Sequence, residues 1–207
     1  MSCWQVDDLL RPLLIAVTDR HRLKSPMPEW AARVINSGVD IIQLREKDLT
    51  EDELRPIALA LLTAIESPNR LQINGHPKLA VELGCGLHLP EEAQVVDNPP
   101  RPFSLSVHRF EGISTLINTD FVIAGHLFAT PSKAGIPARG IDWLRALVQI
   151  SPVPVVAIGG IDVSNAAQAI RAGADGIAVI GALADAVDPC LSAQELRKVI
   201  DREWRQK

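Results

Sequence analysis

The chain has 207 residues, 47% of them hydrophobic and 22% charged, which fits one globular domain and excludes a disordered or fibrous protein. A formal net charge of -4 excludes a general nucleic-acid surface, which needs clustered Lys and Arg, so any anion bound here is small and locally held.

In chain order, the start carries Asp7 and Asp8 ahead of a short apolar run, lacking both the basic opening of a signal peptide and the length of a membrane span. A cytoplasmic protein without membrane contact is expected. The first strand-like run is LLIAVTD at 13–19, and the second is VDIIQLREK at 39–47. After it comes TEDELRPIALALLTAI, where Thr50 and Glu53 have capping-box spacing and Pro56 falls in the first turns of a helix. Further runs are LQING at 71–75, GLHLP at 86–90, FSLSVH at 103–108, FVIAGHLF at 121–128, VPVVAIGG at 153–160 and DGIAVIGA at 175–182. A helix is expected after each, the last over LSAQELRKVIDREW, where Ser192 and Glu195 repeat the capping-box spacing.

Short β-branched runs alternating with helical-period segments predict parallel strands joined by right-handed crossovers. Eight such units predict an α/β fold, a (β/α)8 TIM barrel at the small end of its size range, as a single domain over residues 1–207. A doubly wound open sheet is the alternative; against it, no GxGxxG turn follows the first strand. Cys3, Cys85 and Cys190 are widely spaced and unpaired by motif, which predicts reduced structural thiols and no zinc site.

Barrel active sites form where strands end and βα loops begin. That rule selects Gln43, Arg45 and Lys47 after strand 2, Asn74 after strand 3 and His88 after strand 4. It adds Ser106 and His108 after strand 5, then His126, Thr130, Ser132 and Lys133 after strand 6. Arg45 and Lys47 share a strand face by their i, i+2 spacing. Gly159 and Gly160 after strand 7, with Gly181 after strand 8, predict a phosphate cradle of backbone N–H groups; tight turns are the plainer reading of the same glycines. His126 is the acid/base candidate, since imidazole exchanges protons near neutral pH, and the hydroxyls and Lys133 beside it suit an anionic substrate. His88 and His108 read as strand-end packing or hydrogen-bonding groups.

Taken together, AVTD, VDIIQLREKD, LQING, GLHLP, SVH, GHLFATPSKAG and VPVVAIGG with NAAQAIRAGADGIAVIGAL resemble, in order and over nearly the whole chain, the thiamine phosphate synthase superfamily. The resemblance implies a TIM barrel binding a thiazole phosphate on the glycine loops. Synthases of that superfamily couple a pyrimidine diphosphate to the thiazole phosphate with magnesium, through an Asn-Asp on strand 3 and a second aspartate after strand 4. This chain has Asn74-Gly75 at the first place and Pro90, Glu91, Glu92 and Ala93 around the second. Magnesium on a diphosphate wants carboxylate oxygens in near-octahedral array, so these changes should disable it. Asn74-Gly75, Leu89-Pro90, Ser106-Val107-His108 and Gly125-His126 instead resemble the thiazole tautomerase branch.

That likeness implies an isomerase in which His126 moves a proton as a carboxythiazole phosphate tautomer becomes aromatic, with no cofactor or metal. The substrate- or phosphate-binding residues expected are Arg45, Lys47, Asn74, Ser106, Thr130, Lys133, Gly159, Gly160 and Gly181. Two alternatives stay open: the magnesium-dependent synthase, for which Arg45 and Lys47 speak, and a non-catalytic thiazole-phosphate binder. A small phosphorylated thiazole is the partner expected, and a homodimer is left open.

Overall fold

A computed structural model describes residues 12–93, 97–113, 116–130, 133 and 135–206. Cys3, Asp7, Asp8 and Ser132 lie outside the described residues. The strands are β1 (Leu13–Val17), β2 (Ile41–Leu44), β3 (Leu71–Asn74), β4 (Gly86–Leu89), β5 (Phe103–Val107), β6 (Phe121–Gly125), β7 (Val155–Ile158) and β8 (Gly176–Val179). They close in sequence order, every neighbouring pair parallel, with β1 pairing β8. All eight runs expected to be strands are strands, and the closed barrel rules out the open sheet.

The helices are α1 (Met27–Asn36), α2 (Glu51–Ile65), α3 (Pro77–Leu83), α4 (Gly140–Ile150), α5 (Ala166–Arg171), α6 (Gly181–Ala184) and α7 (Pro189–Trp204). α2 begins as expected: the Thr50 hydroxyl accepts from the Glu53 amide while the Glu53 carboxylate accepts from the Thr50 amide. α7 corrects its expectation. It starts earlier, with Asp188 accepting from the Cys190 and Leu191 amides and Pro189 in the first turn, so Ser192 and Glu195 lie inside the helix. A second correction concerns β4 and β5, after which the described residues form turns rather than helices. Pro90, Pro99, Pro100 and Pro102 crowd the first connection, and Gly112 at φ +78° bends the second.

Outward-facing strand residues such as Leu14, Ile42, Ile73, Leu87 and Ala157 pack under the helices in the main core. Inward-facing Leu13, Ile15, Val17, Ile41, Phe121, Ile123, Val156 and Ala178 form a separate apolar cluster inside the barrel. Burial on both faces is why parallel strands read as near-continuous apolar runs. No helix among the described residues is long and apolar enough to cross a membrane.

Candidate active site

A cavity of about 590 Å3 opens at the C-terminal ends of the strands. Arg45, Lys47, Asn74, Ser106, His126, Thr130, Lys133, Gly159, Gly160 and Gly181 all line it, so every expected site residue reaches one mouth. His88 and His108 line it too.

Beneath the mouth, β2 to β5 turn polar side chains into the barrel. Asn74 Nδ2 donates to Gln43 Oε1 at 3.0 Å, and Gln72 Nε2 donates to the Ser104 hydroxyl and the Pro102 carbonyl, each at 3.1 Å. His88 lies 2.8 Å from Ser104 Oγ through Nδ1 and 2.9 Å from Ser106 Oγ through Nε2. Burial, aided by the Arg45 and His108 charges, pushes His88 down to about 3, so it is a neutral imidazole near pH 7. The expectation of a hydrogen-bonding strand-end histidine holds for it.

The cations gather on one rim. Arg45 is half-buried and has no side-chain partner among the described residues; desolvation lowers its pKa, while Asp19 and Glu46 oppose that. Lys47 is also lowered, first by the Arg45 charge, then by burial and by Lys133. Arg45, Lys47 and Lys133 stand near enough for Arg45 and Lys133 to lower the Lys47 pKa, with Asp19 and Glu46 only partly offsetting the charge at Arg45, an excess of positive charge that suits an anionic ligand. Their placement comes from below: the buried Glu46 accepts from the Thr18 hydroxyl at 2.6 Å, and Thr18 Oγ1 in turn accepts from the Arg45 amide at 2.9 Å.

His126 enters from the end of β6. The Gly125 carbonyl accepts from His108 Nδ1 at 2.8 Å and from Arg139 Nε at 3.2 Å, which anchors the residue before it. His126 Nε2 lies 3.2 Å from the Ile136 carbonyl, which can only accept, so this contact is a donation from Nε2, and in the neutral ring the lone pair is on Nδ1. The loop closes on itself where Arg139 N donates to the His126 carbonyl and Gly140 N to that of Leu127, both at 3.1 Å.

Gly159 and Gly160 do more than line the mouth. A Cβ on Gly159, at φ +103°, would sit 2.7 Å from His126 Cα, and one on Gly160, at φ +64°, 2.5 Å from the Ala129 carbonyl oxygen. Only glycine lets the His126 loop lie directly on β7, where Leu127 N donates to the Ile158 carbonyl at 2.8 Å and Phe128 N to that of Gly159 at 2.9 Å.

Sequence reasoning missed Arg22. Its guanidinium lines the mouth beside Gly181 and grips Asp185, with Nε donating to Oδ1 at 2.8 Å. The partners are 163 residues apart, so no local pattern announces them.

The coupling activity implied by the resemblance uses magnesium, and the donor set here does not fit it. Among the described residues only Asp19 and Asp162 bring carboxylates to the mouth, and no group of three or more His, Cys, Asp or Glu could hold a metal. Glu91 is occupied by the amides of His108 at 2.9 Å and Arg109 at 3.1 Å, while the exposed Glu92 pairs with Arg109 at 3.3 Å. Neither replaces the missing aspartates.

A closed parallel barrel whose strand ends converge on a cationic, polar mouth is a TIM-barrel enzyme by fold and site. The thiamine monophosphate synthase (TMP-TENI) family model matches residues 14–183, and the chain belongs to that family. It is 37% identical over 187 residues to a thiamine-phosphate synthase of Albidiferax ferrireducens, covering 84% of this chain and 85% of the relative. A thiamine-phosphate synthase of Chlamydia caviae is 32% identical over 206 residues, covering 93% and 96%. The thiamine phosphate pyrophosphorylase of Pyrococcus furiosus superposes with a TM-score of 0.80 at 29% identity, covering 92% and 96%. These names match the transferase alternative read from the sequence and lend no support to the isomerase reading.

Proposed function

We propose that the chain is an acid/base isomerase of phosphorylated carboxythiazole, a thiazole tautomerase within the thiamine phosphate synthase family. One observation carries this reading: the mouth places the His126 imidazole beside a cationic rim, where the family's synthases would need paired carboxylates for magnesium. The phosphate arm lies on the Gly159, Gly160 and Gly181 loops with Thr130, and Lys133, Arg45 and Lys47 offset its charge and that of the ring carboxylate. His126 removes a proton from one ring carbon and returns one at another, so the ring becomes aromatic with no net loss of atoms or electrons. General acid/base catalysis by a single group supplies about 10²–10⁴-fold, and holding the phosphate tail adds positioning.

The relatives' names favour a second reading, the coupling of thiazole phosphate to a pyrimidine diphosphate with release of pyrophosphate. Arg45 and Lys47 in the mouth suit its diphosphate. One experiment separates the two. With EDTA present, aromatisation of the carboxythiazole phosphate tautomer, followed by ultraviolet absorbance, should be accelerated by the chain and fall about 10²–10⁴-fold in His126→Ala. No acceleration above the blank refutes the isomerase. Pyrophosphate release from the two-substrate mixture with magnesium would then establish the transferase, and ligand binding without either turnover a silent binder.

A further inference from the structure

The polar side chains inside the barrel form a hydrogen-bonded series whose direction can be worked out. Gln72 Nε2 faces the Pro102 carbonyl at 3.1 Å and the Leu87 carbonyl at 3.5 Å. Carbonyls only accept, so this end of the amide is the nitrogen, and its contact with Ser104 Oγ at 3.1 Å is a donation to the hydroxyl. Ser104 is fully buried and has one hydrogen of its own to place. Among the described residues its remaining partner is His88 Nδ1 at 2.8 Å. If Nδ1 carried the proton instead, the Ser104 hydroxyl would receive two donors and its own hydrogen would be buried without an acceptor. Nδ1 therefore accepts.

His88 is neutral, as its burial requires, and a neutral imidazole that accepts at Nδ1 bears its proton on Nε2. Nε2 then donates to Ser106 Oγ at 2.9 Å. Ser106 lines the mouth, and because its oxygen accepts from Nε2 on the inner side, its own hydrogen is left to point toward the cavity.

We propose that the Gln72–Ser104–His88–Ser106 series is a one-way hydrogen-bond relay that fixes Ser106 as a donor, so that the site selects a ring bearing a hydrogen-bond acceptor opposite β5. Ser106 touches the ligand in this scheme, and His88 is a positioning residue that acts through it. The acceptor is either the ring nitrogen or the ring carboxylate, both electron-pair donors of the same chemistry. The proposal rests on the thiazole-phosphate reading for its ligand, but the direction of the relay belongs to the free protein.

The test begins without ligand. Long-range 15N–1H spectra of the histidine-labelled full chain should show His88 as the neutral Nε2–H tautomer between pH 5 and 8, with Ser104→Ala changing the Nδ1 shift. An Nδ1–H tautomer, or an imidazolium, in the wild-type chain overturns the relay. Calorimetry then uses two probes, thiazole phosphate with and without the ring carboxylate. Ser106→Ala should weaken binding about five- to tenfold, the loss of one hydrogen bond. A loss for both probes assigns the ring nitrogen as acceptor, and a loss for the carboxylated probe alone assigns the carboxylate. Unchanged affinity for both overturns the donor role of Ser106. If the wild-type chain binds neither probe, the thiazole reading fails, and the spectra still decide the relay's direction.

Discussion

Strands β6, β7, β8 and β1 fill their side of the barrel interior with Ile123, Val156, Ala178, Leu13, Ile15 and Val17, whereas β2 to β5, apart from Ile41 at the start of β2, fill theirs with Gln43, Gln72, Asn74, His88, Ser104 and Ser106. Both halves are buried, but they hold together differently. Apolar contact is non-directional and tolerates small shifts, while each amide or hydroxyl in the polar half must face a partner of the right kind. The first half supplies cohesion; the second supplies orientation and delivers it to the mouth through Asn74 and Ser106.

The contrast breaks most severely if a charge enters the apolar half. Ile15→Asp, at a fully buried position in the apolar cluster, should cost about 5 kcal/mol and abolish a cooperative melt in circular dichroism, because a carboxylate there loses its hydration. The reciprocal exchange is milder. Gln72→Leu should lower stability by about 2 kcal/mol in urea denaturation, since it strips the donor from Ser104 while leaving the volume filled. Equal costs for the two exchanges would mean the halves are not distinct.

Acid sharpens the comparison from the polar side. His88 titrates at 6.5 unfolded and about 3 folded, so between these values the unfolded chain binds the extra proton and stability falls as pH falls. Between pH 7 and pH 4.5 the wild-type chain should lose roughly 2–3 kcal/mol more than His88→Gln, read as a smaller drop in denaturation midpoint for the variant. The smallest effect lies on the rim. Arg45→Met should raise the pKa of Lys47, whose depression comes first from the Arg45 charge, as followed by NMR titration of the Lys47 side chain.

Much of this was legible in the sequence for a physical reason: strands buried on both faces are β-branched and apolar almost throughout, as in FVIAG and VVAI. The strand-end rule also selected Arg45, Lys47, Asn74, Ser106, His126 and Lys133, and the structure places all six around one cavity. What stayed hidden depends on long-range packing. Gln72 and Ser104 look like ordinary strand residues until the register turns both inward, and Arg22 acquires its position from Asp185 across the closure of the barrel. The missing helices after β4 and β5 follow from proline and glycine in connections whose apolar residues had suggested helical period.

The contact of Gly159 with His126 has an evolutionary corollary. The Gly159–Gly160 turn and the His126 loop are walls of the same joint, so a mutation that reshapes the turn also re-aims the imidazole. Descendants of such a barrel cannot rebuild the turn after β7 while leaving the imidazole where it stands. Change should arise instead on the β2 rim, where the Arg45 and Lys47 side chains can be replaced without moving the histidine.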